Sequence, residues 1–147
     1  MNKIIRCFIM LTTLIAFTHA HARDDQKMFS IKEALESPAA KDKLDPDIKL
    51  YFGNQKHPAI VKSFGEARTN KKTNGFNKSD QQACEWTFIG AVLALQNNAR
   101  QQGGNAVVGI KSNYRNIEKS SNTEYMCGSG ALMSGVALKG KVVKLAK

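Results

Sequence analysis

Residues 135–142, GVALKGKV, place Gly135, Gly140 and Lys141 at the spacing of a phosphate-binding loop, G-x-x-x-x-G-K-[ST]. In such a loop the glycine backbone cradles phosphate, the lysine neutralises it, and a hydroxyl holds Mg²⁺. Here Val142 stands where the hydroxyl belongs, only seven residues follow Gly140, and the composition of Val142–Leu145 favours a strand. The loop has to open a helix whose first amides face the phosphate, so nucleotide binding is not expected and no ATP partner is assigned. GGNAVVG (103–109) also spaces glycines like a dinucleotide fingerprint, but in the reverse order, after a helix and into a strand.

Cys84 and His57 are a conceivable nucleophile and base, but no orienting third group accompanies them, and no catalytic residue, metal ligand set or cofactor is expected. The basic residues Arg68, Lys71, Lys72 and Lys78, interleaved with Phe76, are the candidate anion-binding set. Lys139, Lys141, Lys144 and Lys147 form a second basic set. Tyr114, Arg115 and Tyr125 flank the polar 116–122 segment and are candidates for recognising a partner.

The start of the chain sets the compartment. Lys3 and Arg6, the apolar run Phe8–Phe17 and Ala20-His21-Ala22 read as a cleavable export signal over 1–22, with Thr18-His19-Ala20 as a second cleavage site. The apolar run is too short to span a bilayer, so no transmembrane anchor is expected. The mature chain, 23–147, is then one periplasmic or secreted domain. Loss of Lys3 and Arg6 lowers the net charge from +10 to +8. That charge favours anionic partners without choosing among lipopolysaccharide, anionic lipid and nucleic acid. Cys7 leaves with the signal, and Cys84 and Cys127 remain in an oxidising compartment, where one structural disulfide is expected. Its closure is worth about 4 kcal/mol in the chain-entropy picture. A metal site or redox pair is the alternative, although the chain has no C-x-x-C.

Several elements must position these residues. Ser30-Ile31-Lys32-Glu33 opens a short helix ending by Pro38, and 41–47 is a charged connector. Residues 48–52 and 59–69 read as strands, followed by a turn-rich basic stretch over 70–78. Ser79-Asp80-Gln81-Gln82 caps a long helix that Gly103-Gly104 stops. Trp86, Ile89, Val92 and Leu93 define one apolar face, widened by Cys84, Phe88, Ala91 and Leu95, and the tail turns polar from Gln96. Strands are expected at 105–114 and 123–138, then a turn at Lys139-Gly140 and a last strand at 142–145. Cys127, Ala131, Met133 and Ala137 share one parity of the long strand, and Leu132, Val136 and Leu138 share the other. Gly128, Gly130 and Gly135 imply a bulge, a bend or a close neighbour. The expected class is α+β: a small, mainly antiparallel sheet with one long crossover helix on it, in β-α-β-β-β order, plus a short N-terminal helix.

KLYFG (49–53), KKTNGFNKSD (71–80), AC (83–84), ALQ (94–96), GGNAVVGI (103–110) and the run from Thr123 to Gly140 carry a resemblance. In them the chain resembles a group of small exported bacterial proteins commonly labelled "excinuclease ATPase subunit". That resemblance implies the paired cysteines and an exported α+β domain. The chain has no complete phosphate-binding loop and no zinc-finger cysteine set, so an excinuclease ATPase role is rejected. More distantly, GGNAVVGI is similar to the YbjQ-type and RcsF-type folds, in which the strand after this motif packs beside a helix. RcsF-like proteins are envelope stress sensors; their lipid anchor and two of their four cysteines are missing here. The expected function is a non-catalytic envelope-binding module whose partner is an unidentified envelope protein or anionic surface. The alternative is a polyanion- or nucleic-acid-binding protein.

Overall fold

The computed structural model describes residues 23–147; the expected leader, 1–22 with Cys7, lies outside the described residues. In chain order the elements are β1 (Asp24–Ser30), α1 (Ile31–Glu36), α2 (Pro38–Lys43), β2 (Lys49–Phe52), β3 (Ile60–Asn74), α3 (Asp80–Gln102), β4 (Ala106–Tyr114), β5 (Ile117–Lys119), β6 (Glu124–Gly130) and β7 (Met133–Leu145). The class is α+β, with the long helix α3 beside one mixed seven-stranded sheet. β2 runs parallel to β4 and all other pairs are antiparallel.

The helix boundaries follow from local chemistry. Ser79 caps α3: its Oγ accepts from the Gln82 amide at 3.1 Å, and its own amide donates to Gln82 Oε1 at 3.4 Å. α3 ends at Gly103, whose φ of 80° lies in the left-handed region. Ser30 caps α1, its Oγ accepting from the Glu33 amide at 3.2 Å. The expected charged connector at 41–47 begins as helix, since residues 41–43 close α2. Ser37 closes α1 and caps α2, with Oγ accepting from the Ala40 amide at 3.2 Å and Pro38 in the first turn, where its missing N–H costs nothing.

β7 organises the sheet. One edge pairs with β3 from Ile60↔Leu145 to Asn74↔Met133. The other edge pairs first with β6 (Gly128↔Gly135, Ser129↔Ser134) and then with β4 (Ser112↔Leu138 to Ala106↔Val143). Four expectations change as a result. Residues 70–74 are strand, because pairing with β7 satisfies a backbone whose side chains favour turns; the turn is confined to 75–78. Residues 123–138 are two strands, joined by a tight turn at Ala131-Leu132. That turn reverses the parity, so Cys127 joins Val136 and Leu138 in the core. Lys139-Gly140 is not a turn; β7 runs straight through it. β1 is an additional strand with little apolar pattern, since it lies at the border of the sheet, pairing with β6 from Asp24↔Gly130 to Ser30↔Glu124.

The core lies between α3 and the sheet. Phe88 stacks on Tyr125 with centroids 4.0 Å apart, and Phe52 and Phe29 flank this pair at 6.0 and 5.9 Å. Cys84 of α3 is bonded to Cys127 of β6, S–S 2.03 Å, and both are fully buried. Two residues of α3 depart from the expected face. Trp86 is exposed, with the Lys43 ammonium 4.8 Å from its ring centroid. Gln96 is buried: its Nε2 donates to the carbonyls of Asp45 and Ile48, and its Oε1 accepts from the Asp45 amide. The side chain therefore fastens the entry of β2 to the helix, a use of Gln that apolar periodicity does not register.

Replacing both cysteines by alanine releases a 43-residue connection. The double variant is expected to lose about 4 kcal/mol of unfolding free energy, read from the urea midpoint under non-reducing conditions, with wild type in reductant shifting the same way.

Candidate functional site

α3 covers one face of the sheet; the other face carries the polar and cationic residues. Paired residues of antiparallel strands point to the same side, so Arg68, Asn70 and Lys72 of β3 share the open face with Lys139, Ala137 and Gly135 of β7. Lys71 points the other way, its stem 4.0 Å from the position of a Cβ on Gly90 of α3. Lys78 sits in the β3–α3 turn and donates to the Asn74 carbonyl at 2.9 Å. The candidate anion-binding set is thus divided: Arg68 and Lys72 lie on one face, Lys71 on the other, and Lys78 at the end of the sheet. The second basic set does not converge either. Lys139 is buried and ion-paired with Glu118, while Lys141 pairs across from Glu66 and Lys144 from Lys62.

The open face instead gathers Arg68 and Lys72 around residues of the β4–β5 turn. Tyr114 lies flat over the centre: a Cβ on Gly128 would meet its ring at 2.1 Å, and one on Gly135 at 3.2 Å. The glycines of 128–135 thus have the close neighbour their composition implied. The Tyr114 hydroxyl donates to Asp24 Oδ1 at 2.9 Å. Burial, and next this bond to Asp24, raise the phenol above its usual pKa. Arg115 follows with φ 52° and Asn116 with φ 62°, the two central positions of a hairpin closed by Tyr114↔Ile117. Glycine or asparagine favours such positions, and a long side chain there costs about 1–2 kcal/mol. Two contacts offset that cost. Arg115 Nη2 pairs with Asp24 Oδ2 at 2.5 Å, and its guanidinium lies 5.8 Å from the Tyr114 centroid.

The cleft beside this arrangement has a volume of about 440 Å³, lined by Arg23, Asp24, Lys72, Tyr114, Arg115 and the β6–β7 turn. A shallower depression of about 300 Å³ continues past Arg115 to Arg68, Asn70 and Asn113. Chemically, this is a guanidinium with donors left over beside a flat aromatic floor, suited to a carboxylate or phosphate group. Tyr125 is not at this face; it belongs to the core. Arg115 was visible in sequence only as a neighbour of a polar loop. Its backbone state and its partner Asp24, 91 residues away, are set by the fold.

Beyond the cleft, an ion-paired group covers the sheet. Lys111 Nζ stands 2.5 Å from Glu118, Lys139 pairs with the same carboxylate, and Arg68 Nε is 2.6 Å from Glu66. Lys111, and then Lys139, hold the Glu118 carboxyl down to about 2. The other chemistries weighed in the sequence are taken up by structure. Cys84 is bonded and fully buried, and His57 is exposed, its Nδ1 2.8 Å from the Pro58 carbonyl oxygen. GVALKGKV lies within β7, paired on both edges, where a Cβ on Gly140 would come within 2.8 Å of Val107 and 3.0 Å of Ile110.

Gly128→Ala is expected to destabilise the fold by about 1–3 kcal/mol, because its methyl group displaces the Tyr114 ring. In a Tyr114→Ala background the same change costs measurably less, a double-mutant cycle read by urea unfolding. Glu118 supplies a pH dependence. Its folded pKa of about 2 lies below the ordinary 4.5, so its contribution is complete above the ordinary value and is lost as pH falls toward 2. Urea midpoints between pH 5 and 2 are expected to fall less steeply in Glu118→Gln than in wild type. Compared with known protein families, curated proteins and solved structures, the chain matches none of them.

Proposed function

We propose that the chain is an exported, non-catalytic binding module of the bacterial envelope that recognises an anionic group of an envelope partner on its open sheet face. The supporting observation is Arg115: a long cationic side chain kept in a left-handed turn by Asp24 and Tyr114, at the edge of a cleft that no helix covers. Backbone strain maintained by surrounding contacts is common at recognition sites. The site is a binding surface using neither ATP nor a cofactor, and the protein acts in the periplasm or outside the cell. A polyanion, nucleic acid included, is the second reading. It draws on Arg68 and Lys72, which lie on the same face four positions apart along one strand.

Affinity capture from native envelope, with the purified chain as bait, separates the two. A specific partner that wild type retains and Arg115→Gln loses is the expected result, with elution from heparin little changed. Loss of heparin and DNA retention in Arg68→Ala/Lys72→Ala, with no partner sensitive to Arg115, would favour the polyanion instead.

A further inference from the structure

One end of the sheet has a character that the open face does not explain. There the β3–α3 turn and the β6–β7 turn lie side by side, with the Gly75 amide donating to the Leu132 carbonyl at 2.8 Å and Asn74 paired with Met133. Three large apolar side chains on these turns face solvent: Phe76 at 61% exposure, Leu132 at 64% and Met133 at 49%. The turn that presents Phe76 is built for it, since the Phe76 amide donates to Asn74 Oδ1 at 2.8 Å and Asn77 takes φ 58°.

The charges around this tip are one-sided. Its carboxylates are already matched: Asp80 by Lys27 and Arg23, Asp25 by Arg23, and Asp24 by Arg115. Lys71, Lys72 and Lys78 take part in no ion pair among the described residues. Because Lys71 and Lys72 point to opposite faces of β3 and Lys78 lies in the turn, the three surround the apolar tip instead of forming a patch on one face. Arg23 lines the cleft beside Leu132 and Met133.

We infer that this tip is an interfacial docking device: Phe76, Leu132 and Met133 enter the headgroup region of an anionic bilayer, while Lys71, Lys72 and Lys78 engage its phosphates. An apolar wedge within a basic collar is what an anionic interface selects, since neither contribution alone gives stable attachment. The inference rests on the envelope reading above; Lys72, Leu132 and Met133 also line the cleft at Arg115, whereas Phe76, Lys71 and Lys78 lie outside it.

The test uses protein purified after export, its N-terminus verified by mass spectrometry, in cosedimentation with phosphatidylglycerol–phosphatidylcholine vesicles and with phosphatidylcholine alone. Wild type is expected to bind the anionic vesicles, less so as salt rises, and to bind the neutral ones weakly. Phe76→Ser/Leu132→Ser is expected to lower partitioning about tenfold, and Lys71→Gln/Lys78→Gln about tenfold at low salt. All four positions are exposed, so unchanged thermal melts verify that both variants are folded. Arg115→Gln is expected to bind vesicles as wild type does, which keeps failure here distinct from failure of the cleft. Absence of wild-type binding to anionic vesicles, equal binding to neutral ones, or binding unaffected by Phe76→Ser/Leu132→Ser would overturn the inference. Vesicle binding lost in Arg115→Gln alone would overturn it too, moving the contact to the cleft.

Discussion

Every surface described here depends on β7 being hydrogen-bonded along both edges. Bulk is excluded where other residues crowd this backbone: the Tyr114 ring over Gly128 and Gly135, and Val107 and Ile110 against Gly140. The same small residues leave a hollow that Tyr114 fills from above. Tyr114 in turn fixes Asp24, and Asp24 fixes Arg115. A backbone constraint deep in the sheet thereby sets the position of a guanidinium on its surface.

The opposite face obeys a different rule. α3 is long, capped at both ends and joined to β6 by Cys84–Cys127, and the stack of Phe88 on Tyr125 lies one helical turn from that bond. Covalent linkage and aromatic packing thus act at one place on the helix-covered layer. The open layer carries a small apolar cluster of Ala106, Val108, Val143 and Leu145 with Tyr51, and beside it ion pairs: Glu118 between Lys111 and Lys139, and Glu66 with Arg68. Lys139 lies buried between two of these carboxylates, Glu118 and, at 3.9 Å, Glu66.

Export chemistry, a cleft and a tip fit one arrangement. On the proposed reading, export brings the chain to the periplasmic side, the lysine collar around Phe76 and Leu132 holds it at a bilayer surface, and the cleft at Arg115 meets a partner. The two surfaces share the β6–β7 turn, with Leu132 and Met133 lining the cleft.

The sequence by itself determined the elements whose signals are local. The capping box at Ser79, the stop at Gly103, the strands expected at 48–52 and 105–114 and found at 49–52 and 106–114, and the pairing of Cys84 with Cys127 all depend on residues close in the chain or on simple counting. Only the tertiary structure decided what depends on partners distant in sequence. The polar stretch 70–74 became strand because β7 satisfied its amides. The two-residue turn at 131–132 exchanged the faces of everything after it, and Lys139-Gly140 stayed extended because β3 and β4 held it from both sides. Tyr114, Arg115 and Asp24 were brought together by a register of strands, and Lys71, Lys72 and Lys78 were placed around an apolar tip by the alternation of one. Side-chain direction in a sheet is set by pairing, and pairing is a property of the whole chain rather than of any segment.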